Sequence, residues 1–165
     1  MQHKLIVPAL LCSVLLCLAQ SGVAASYDHG DVTQPLKRHH FGVFLGVLDT
    51  QEASDPSYGL EYEYRHNAKI GFGLVYEDAP NAHHDDGVSA AIASIYYHPN
   101  SHWRLGLGTG RERIGGSHPH DESIYRASIA YEWHFGALGI APSFNLDRVD
   151  GHTSRVYGLS LLLSY

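Results

Sequence analysis

Nine ionisable residues stand in stretches where polar and apolar side chains alternate: Glu61, Glu63, Arg65, Glu77, Arg104, Glu112, Arg126, Glu132 and Asp147. Side chains two apart in an extended strand share a face, so these residues fall together on the side opposite the bulky apolar ones. Enclosed in a narrow, dry space, opposite charges must pair, because an isolated buried ion costs several kcal/mol. The expectation is a lumen charge network of Glu61, Glu63, Arg65, Glu77, Arg104, Arg126, Glu132 and Asp147 that ties strands together. A polar or proton path between the same groups is the functional alternative, and it needs open space.

Histidine is abundant, with 13 in the chain. His83-His84-Asp85-Asp86 and His118-Pro119-His120-Asp121-Glu122 offer nitrogen and oxygen donors of the kind zinc, copper or nickel takes. His83, His84, His118 and His120 are therefore metal-ligand candidates, although they fall on expected loops where no rigid element fixes their spacing. Acyl transfer or hydrolysis would need a serine, a histidine and an orienting carboxylate together. Asp150 with His152-Thr153-Ser154 is the one local set of that kind, and it lacks any surrounding motif. The glycines of Gly106-Leu107-Gly108-Thr109-Gly110 follow no strand-to-helix pattern, so a dinucleotide loop is excluded. Their expected role is to leave room for neighbouring arginine or tyrosine side chains. No cofactor motif is present.

The elements that must hold these residues are strands. Phe41, Val43, Leu45 and Val47 take the odd positions of the first stretch, and Tyr58, Leu60, Tyr62 and Tyr64 alternate with Gly59, Glu61, Glu63 and Arg65. Ile70, Phe72, Leu74 and Tyr76 continue the pattern, as do Trp103, Leu105 and Leu107, then Tyr125 to Phe135, Leu138 to Leu146, and Tyr157 to Tyr165. Residues 88 to 98 are apolar on both phases, and their outward side is not fixed by the pattern. The eight segments are of the length, about 9 to 11 residues, that a tilted strand needs to cross a bilayer. Tight connections at His66-Asn67-Ala68, Pro99-Asn100-Ser101 and Gly136-Ala137 alternate with longer polar ones expected over 49–57, 78–87, 111–122 and 148–154. The fold class expected is all-β, an eight-stranded antiparallel up-and-down transmembrane β-barrel.

A soluble barrel or sandwich would point its apolar face inward and pack it from both sides. Here the second face reads as Gly, Ser, Ala, Glu and Arg, which suits the interior of an eight-stranded barrel. Tyr64, Trp103, Trp133, Phe135, Tyr157 and Tyr165 end the apolar face as interfacial girdles would. Pro142, in mid-strand, argues the other way, since it has no N–H for a ladder.

The amino terminus supports export. Lys4 is followed by an apolar run from Leu5 to Leu18 and by small residues through Ala24-Ala25, the pattern of a signal peptide cleaved after Ala25. Both cysteines, Cys12 and Cys17, would leave with it, so no disulfide or thiolate chemistry is expected afterwards. Loss of Lys4 moves the formal charge from −6 to −7, and an acidic chain without a basic stripe argues against nucleic acid. The expected organisation is 1–25 signal peptide, 26–38 periplasmic leader and 39–165 barrel.

The segment Gly59-Leu60-Glu61-Tyr62-Glu63-Tyr64-Arg65, the Tyr96-Tyr97-His98-Pro99 turn and the closing strand Val156 to Tyr165 resemble the small outer-membrane β-barrel families of Gram-negative bacteria, often labelled porin-like. The resemblance covers His39 to Tyr165. It implies a bacterial outer-membrane location, contact with outer-membrane lipid and lipopolysaccharide, a monomer, and Tyr165 as the signal read by the barrel-assembly machinery. It implies no reaction. The function expected is that of a noncatalytic envelope component with a plugged lumen, acting through surface loops. The alternatives are a narrow porin or transporter for small solutes and a lipid A-modifying enzyme.

Overall fold

The computed structural model describes residues 36–50, 53–83 and 86–165. The proposed signal peptide and the leader as far as residue 35 lie outside them.

Among the described residues nine strands follow one another without a helix: β1 (His39–Asp49), β2 (Ser54–Arg65), β3 (Ile70–Ala79), β4 (Val88–Tyr97), β5 (Trp103–Ile114), β6 (His120–Tyr131), β7 (Trp133–Phe135), β8 (Leu138–Val149) and β9 (His152–Ser164). All pairings are antiparallel between neighbours, β1 also pairs β9, and β6 pairs β8, so the sheet closes. β6 and β7 are two parts of one stave. Both pair β8 in one continuous register, Ala130 opposite Ser143 and Trp133 opposite Ile140. The ladder lapses between them, opposite Pro142, which has no N–H to donate. On the other side the β5 register runs on, with the Glu132 amide donating to the His102 carbonyl at 2.6 Å. The barrel therefore has eight staves, and Pro142 costs it a local gap in pairing rather than a strand.

Alternation sets the two faces. Outward lie Leu60, Leu74, Leu107, Tyr125 and their strand neighbours, with Leu107 71% exposed. Inward lie Glu63, Arg65, Glu77, Arg104, Arg126, Glu132 and Asp147, all buried. The ambiguous stretch resolves with Val88, Ala90, Ile92, Ser94, Tyr96 and His98 inside and Ala91, Ala93, Ile95 and Tyr97 outside.

Two expectations need correction. The inner face is not only small and charged: Phe44, Leu48, Val88, Ile114 and Val156 form an apolar cluster inside, and Ile92 and Ile124 a second one. The loops are also shorter than expected. The spans 49–57, 78–87, 111–122 and 148–154 contract to 50–53, 80–87, 115–119 and 150–151, because the ladders run on through the polar residues beyond the apolar band. At the last of these, Asp150 and Gly151 both have positive φ, 43° and 79°, the geometry of a two-residue hairpin turn that matches strand twist.

The terminal end of the barrel, where β1 begins and β9 finishes, is held by a repeated device. Asn67 Oδ1 accepts from the amides of Lys69 and Ile70 at 2.8 and 2.9 Å, and Asn100 Oδ1 accepts from those of His102 and Trp103 at 2.9 and 3.0 Å. Each asparagine supplies its turn with the acceptor that the backbone lacks.

Candidate functional site: the lumen and its mouth

Period-2 alternation delivers charged side chains from opposite walls into one narrow interior, and there they meet in two networks. The first lies toward the terminal end. Arg104 on β5 reaches across to β2, placing Nη2 3.1 Å from Glu61 Oε2 and Nη1 3.5 Å from Glu63 Oε2, while its Nε stands 3.4 Å from Glu132 Oε1. Arg65 on β2 crosses in another direction to Glu132, Nη2 to Oε2, at 2.6 Å. His98 Nε2 meets Glu63 Oε1 at 2.6 Å, and both residues are only 2% exposed. His134 Nε2 stands 3.2 Å from Glu132 Oε2. The Tyr96 ring packs under the Arg104 guanidinium, 4.9 Å from its centroid, a cation–π contact inside the lumen.

The second network is nearer the opposite end. One guanidinium, that of Arg126 on β6, makes two forks: Nη1 and Nη2 donate to Glu77 on β3 at 2.6 and 2.8 Å, and Nε and Nη2 donate to Asp147 on β8 at 2.7 and 2.6 Å. Bidentate pairing of this kind is the strongest form of side-chain hydrogen bond. β3 and β6 stand three staves apart, so the fork to Glu77 is a strut across the interior.

Glycines make the struts fit. A Cβ at Gly42 would meet the Glu61 side chain, one at Gly71 that of Glu63, and one at Gly73 or Gly106 the Tyr96 ring. Gly106 thus makes room for a lumen tyrosine, and Gly108 lies against Ser94 and Ile92.

Above the second network the barrel opens into a mouth of about 900 Å³, lined among others by Asp55, His83, Glu112, Glu122, Asp150 and His152. Between mouth and network the free space narrows to about 20 Å³, beside Ser57, Glu77 and Arg126. That is room for about one water. The mouth is blind.

Among the described residues Glu112 makes no ion pair, and it faces the mouth. Of the metal candidates, His83 and His120 line the mouth, His118 Nδ1 lies 3.3 Å from Ser117 Oγ, and His84 is outside the described residues. Among the described residues no three histidine, aspartate or glutamate side chains come close enough together to hold a metal. Asp150, His152 and Ser154 line the same mouth, and no hydrogen bond joins them into a triad.

Several contributors escaped the sequence reading. His40 Nδ1 is 2.8 Å from Ser164 Oγ across the β1–β9 seam, and His40 Nε2 is 3.0 Å from the Lys37 carbonyl. His40 stands on an inward phase, the signal that could have found it, whereas Tyr96 and His98 lie in the stretch 88–98 whose phase the sequence leaves open. Tyr165 takes part in the same seam: its carbonyl accepts from the amides of Arg38 and His39 at 3.1 and 3.0 Å, and its ring stacks on His39 and Phe41.

No protein family and no curated protein matches the sequence. Solved structures do match in shape. The N-terminal β-barrel domain of Pseudomonas aeruginosa OprF aligns with a TM-score of 0.56 at 11% identity, over 79% of this chain and 100% of that one. Neisserial surface protein A gives 0.56 at 12%, over 77% and 96%. The Yersinia pestis outer membrane protein Ail in a phospholipid nanodisc gives 0.53 at 12%, over 79% and 100%. At such identities the likeness is one of fold, and it agrees with the closed ring of staves: the chain has the fold of the small eight-stranded outer-membrane β-barrels.

Proposed function

We propose that the protein is a noncatalytic component of a bacterial outer membrane, a barrel whose lumen is permanently plugged and which acts through the rim of its mouth. The observation that carries this reading is the set of buried struts. Arg104 to Glu61 and Glu63, Arg65 to Glu132 and Arg126 to Glu77 cross the interior in different directions and leave about a water's width above them. The outward apolar face, with Leu60 and Leu74 each 62% exposed, is the surface that lipid would cover. The short turns, with the start of β1 and the end of β9, then face the periplasm, and the mouth faces outside. With loops this short, the mouth and its rim are the surface left for recognition.

Single-channel recording of the refolded protein in a planar bilayer tests the reading. The plugged barrel gives no steady conductance above the bare membrane, whereas a narrow solute transporter gives discrete steps.

A further inference from the structure

The outward residues just past the apolar band differ around the barrel. On β1 and β3 the first charge is an aspartate, Asp49 or Asp78, but on β5, β8 and β9 it is an arginine: Arg111, Arg148 or Arg155. Arg155 stands 3.8 Å from Asp49. Arg111 and Arg113, both exposed, make no ion pair within the described residues. Asp121 and Asp78 lie on the same cross-strand row as Arg113, whereas Arg111 stands between Ala91 and Ser123 with no carboxylate in its row. Arg148, between Tyr125 and Thr153, likewise has no carboxylate beside it in its row; what sets Arg111 apart is the strand next to it.

Directly beside these arginines the outer surface of β4 is bare. Its outward residues there are Ser89, Ala91 and Ala93, set between Tyr76 and Leu74 on β3 and Arg111 and Thr109 on β5. The backbones of β3 and β5 are about 10 Å apart at such spacings, so three small side chains leave a trough one strand wide. It runs from the arginines down into the apolar band. A guanidinium fork matches a phosphate bidentately, and a trough of this width matches one hydrocarbon chain.

We propose that a phosphorylated lipid of the surrounding outer leaflet docks here, its headgroup phosphate on Arg111 with help from Arg113, and one acyl chain along Ser89, Ala91 and Ala93. The proposal rests on the membrane reading above. The test therefore first establishes insertion by comparing the gel mobility of unheated and heated protein, and then measures lipid retention.

Folded protein in neutral detergent is mixed with bisphosphorylated lipid A, or with the same lipid stripped of its phosphates, and retained lipid is counted by native mass spectrometry. Wild type keeps the phosphorylated lipid in about tenfold preference. R111Q/R113Q loses that preference. A91L/A93L, which fills the trough from the lipid side and leaves both arginines, loses retention. Equal retention of both lipids by wild type, or an unchanged preference in R111Q/R113Q, overturns the proposal, as does undiminished retention by A91L/A93L. Complete displacement by millimolar inorganic phosphate also overturns it, because the arginines would then form a soluble-phosphate site. Absence of a compact unheated band for wild type contradicts the membrane reading itself.

Discussion

Among the residues, Arg126 is the side chain on which most depends. Among the described residues it alone offsets Glu77 and Asp147, which are buried beside it. Replacing it with methionine leaves two carboxylates facing each other in a dry interior, and breaking a buried pair in this way costs about 3 to 5 kcal/mol. R126M is therefore expected to lower the unfolding free energy of the refolded barrel by that amount, seen as a lower urea midpoint. The triple variant E77Q/R126M/D147N, which removes all three charges, recovers most of the loss. Unfolding curves of the three proteins in the same lipid check both statements. The Arg126 trio was legible in part: period 2 put Glu77, Arg126 and Asp147 on one face, but only the closed register shows which acid faces which base. His98 was less legible. It closes the stretch 88–98 that is apolar on both phases, where alternation alone does not say which side chains face inward.

At the scale of elements, the seam between β1 and β9 closes the ring, and it is built around the Phe44 ring. Gly46 and Gly158 face each other across this seam, and a Cβ on either would run into that ring. G158A is expected to destabilise by about 1 to 3 kcal/mol, the usual penalty for overpacking a filled interior. F44L combined with G158A should cost less than the two single changes added together, because the two positions share one space. A double-mutant cycle on unfolding free energies measures this directly. Such seams are hard to read from sequence. Phe44 and Leu48 lie in a run apolar on both phases, where alternation says which residues could face in but not which do. Strand existence was plain from Tyr58 to Arg65 and from Trp103 to Gly110, where bulky and small residues alternate cleanly. Strand ends were not, because Asp49, Arg111, Arg113 and Arg155 look like loop residues and continue the ladder beyond the apolar band.

For the whole molecule, the arrangement is a soluble protein turned inside out. Charge and hydroxyl groups are enclosed, while leucine, tyrosine and tryptophan form the exterior. Water cannot cover such an exterior favourably, since exposed apolar area is disfavoured by about 25 cal/mol per Å². A bilayer can, and closure removes the unpaired strand edges that lipid would not tolerate. The outward aromatics fall in two bands. Tyr58, Tyr76, Tyr125 and Tyr157 lie toward the mouth, and Tyr97, Trp103, Trp133, Phe135 and Tyr165 toward the terminal end. This separation is that of the two interfaces of a membrane.

The chain has two tryptophans, Trp103 and Trp133, and both are on that exterior, beside one another around the Tyr131 ring. Their fluorescence in bilayers of lipid brominated near the headgroup tests the central claim most directly. The account predicts strong quenching by the brominated lipid and weak quenching by aqueous iodide. Strong quenching by iodide with none from the brominated lipid would contradict it, placing the aromatic face in water or in a protein core.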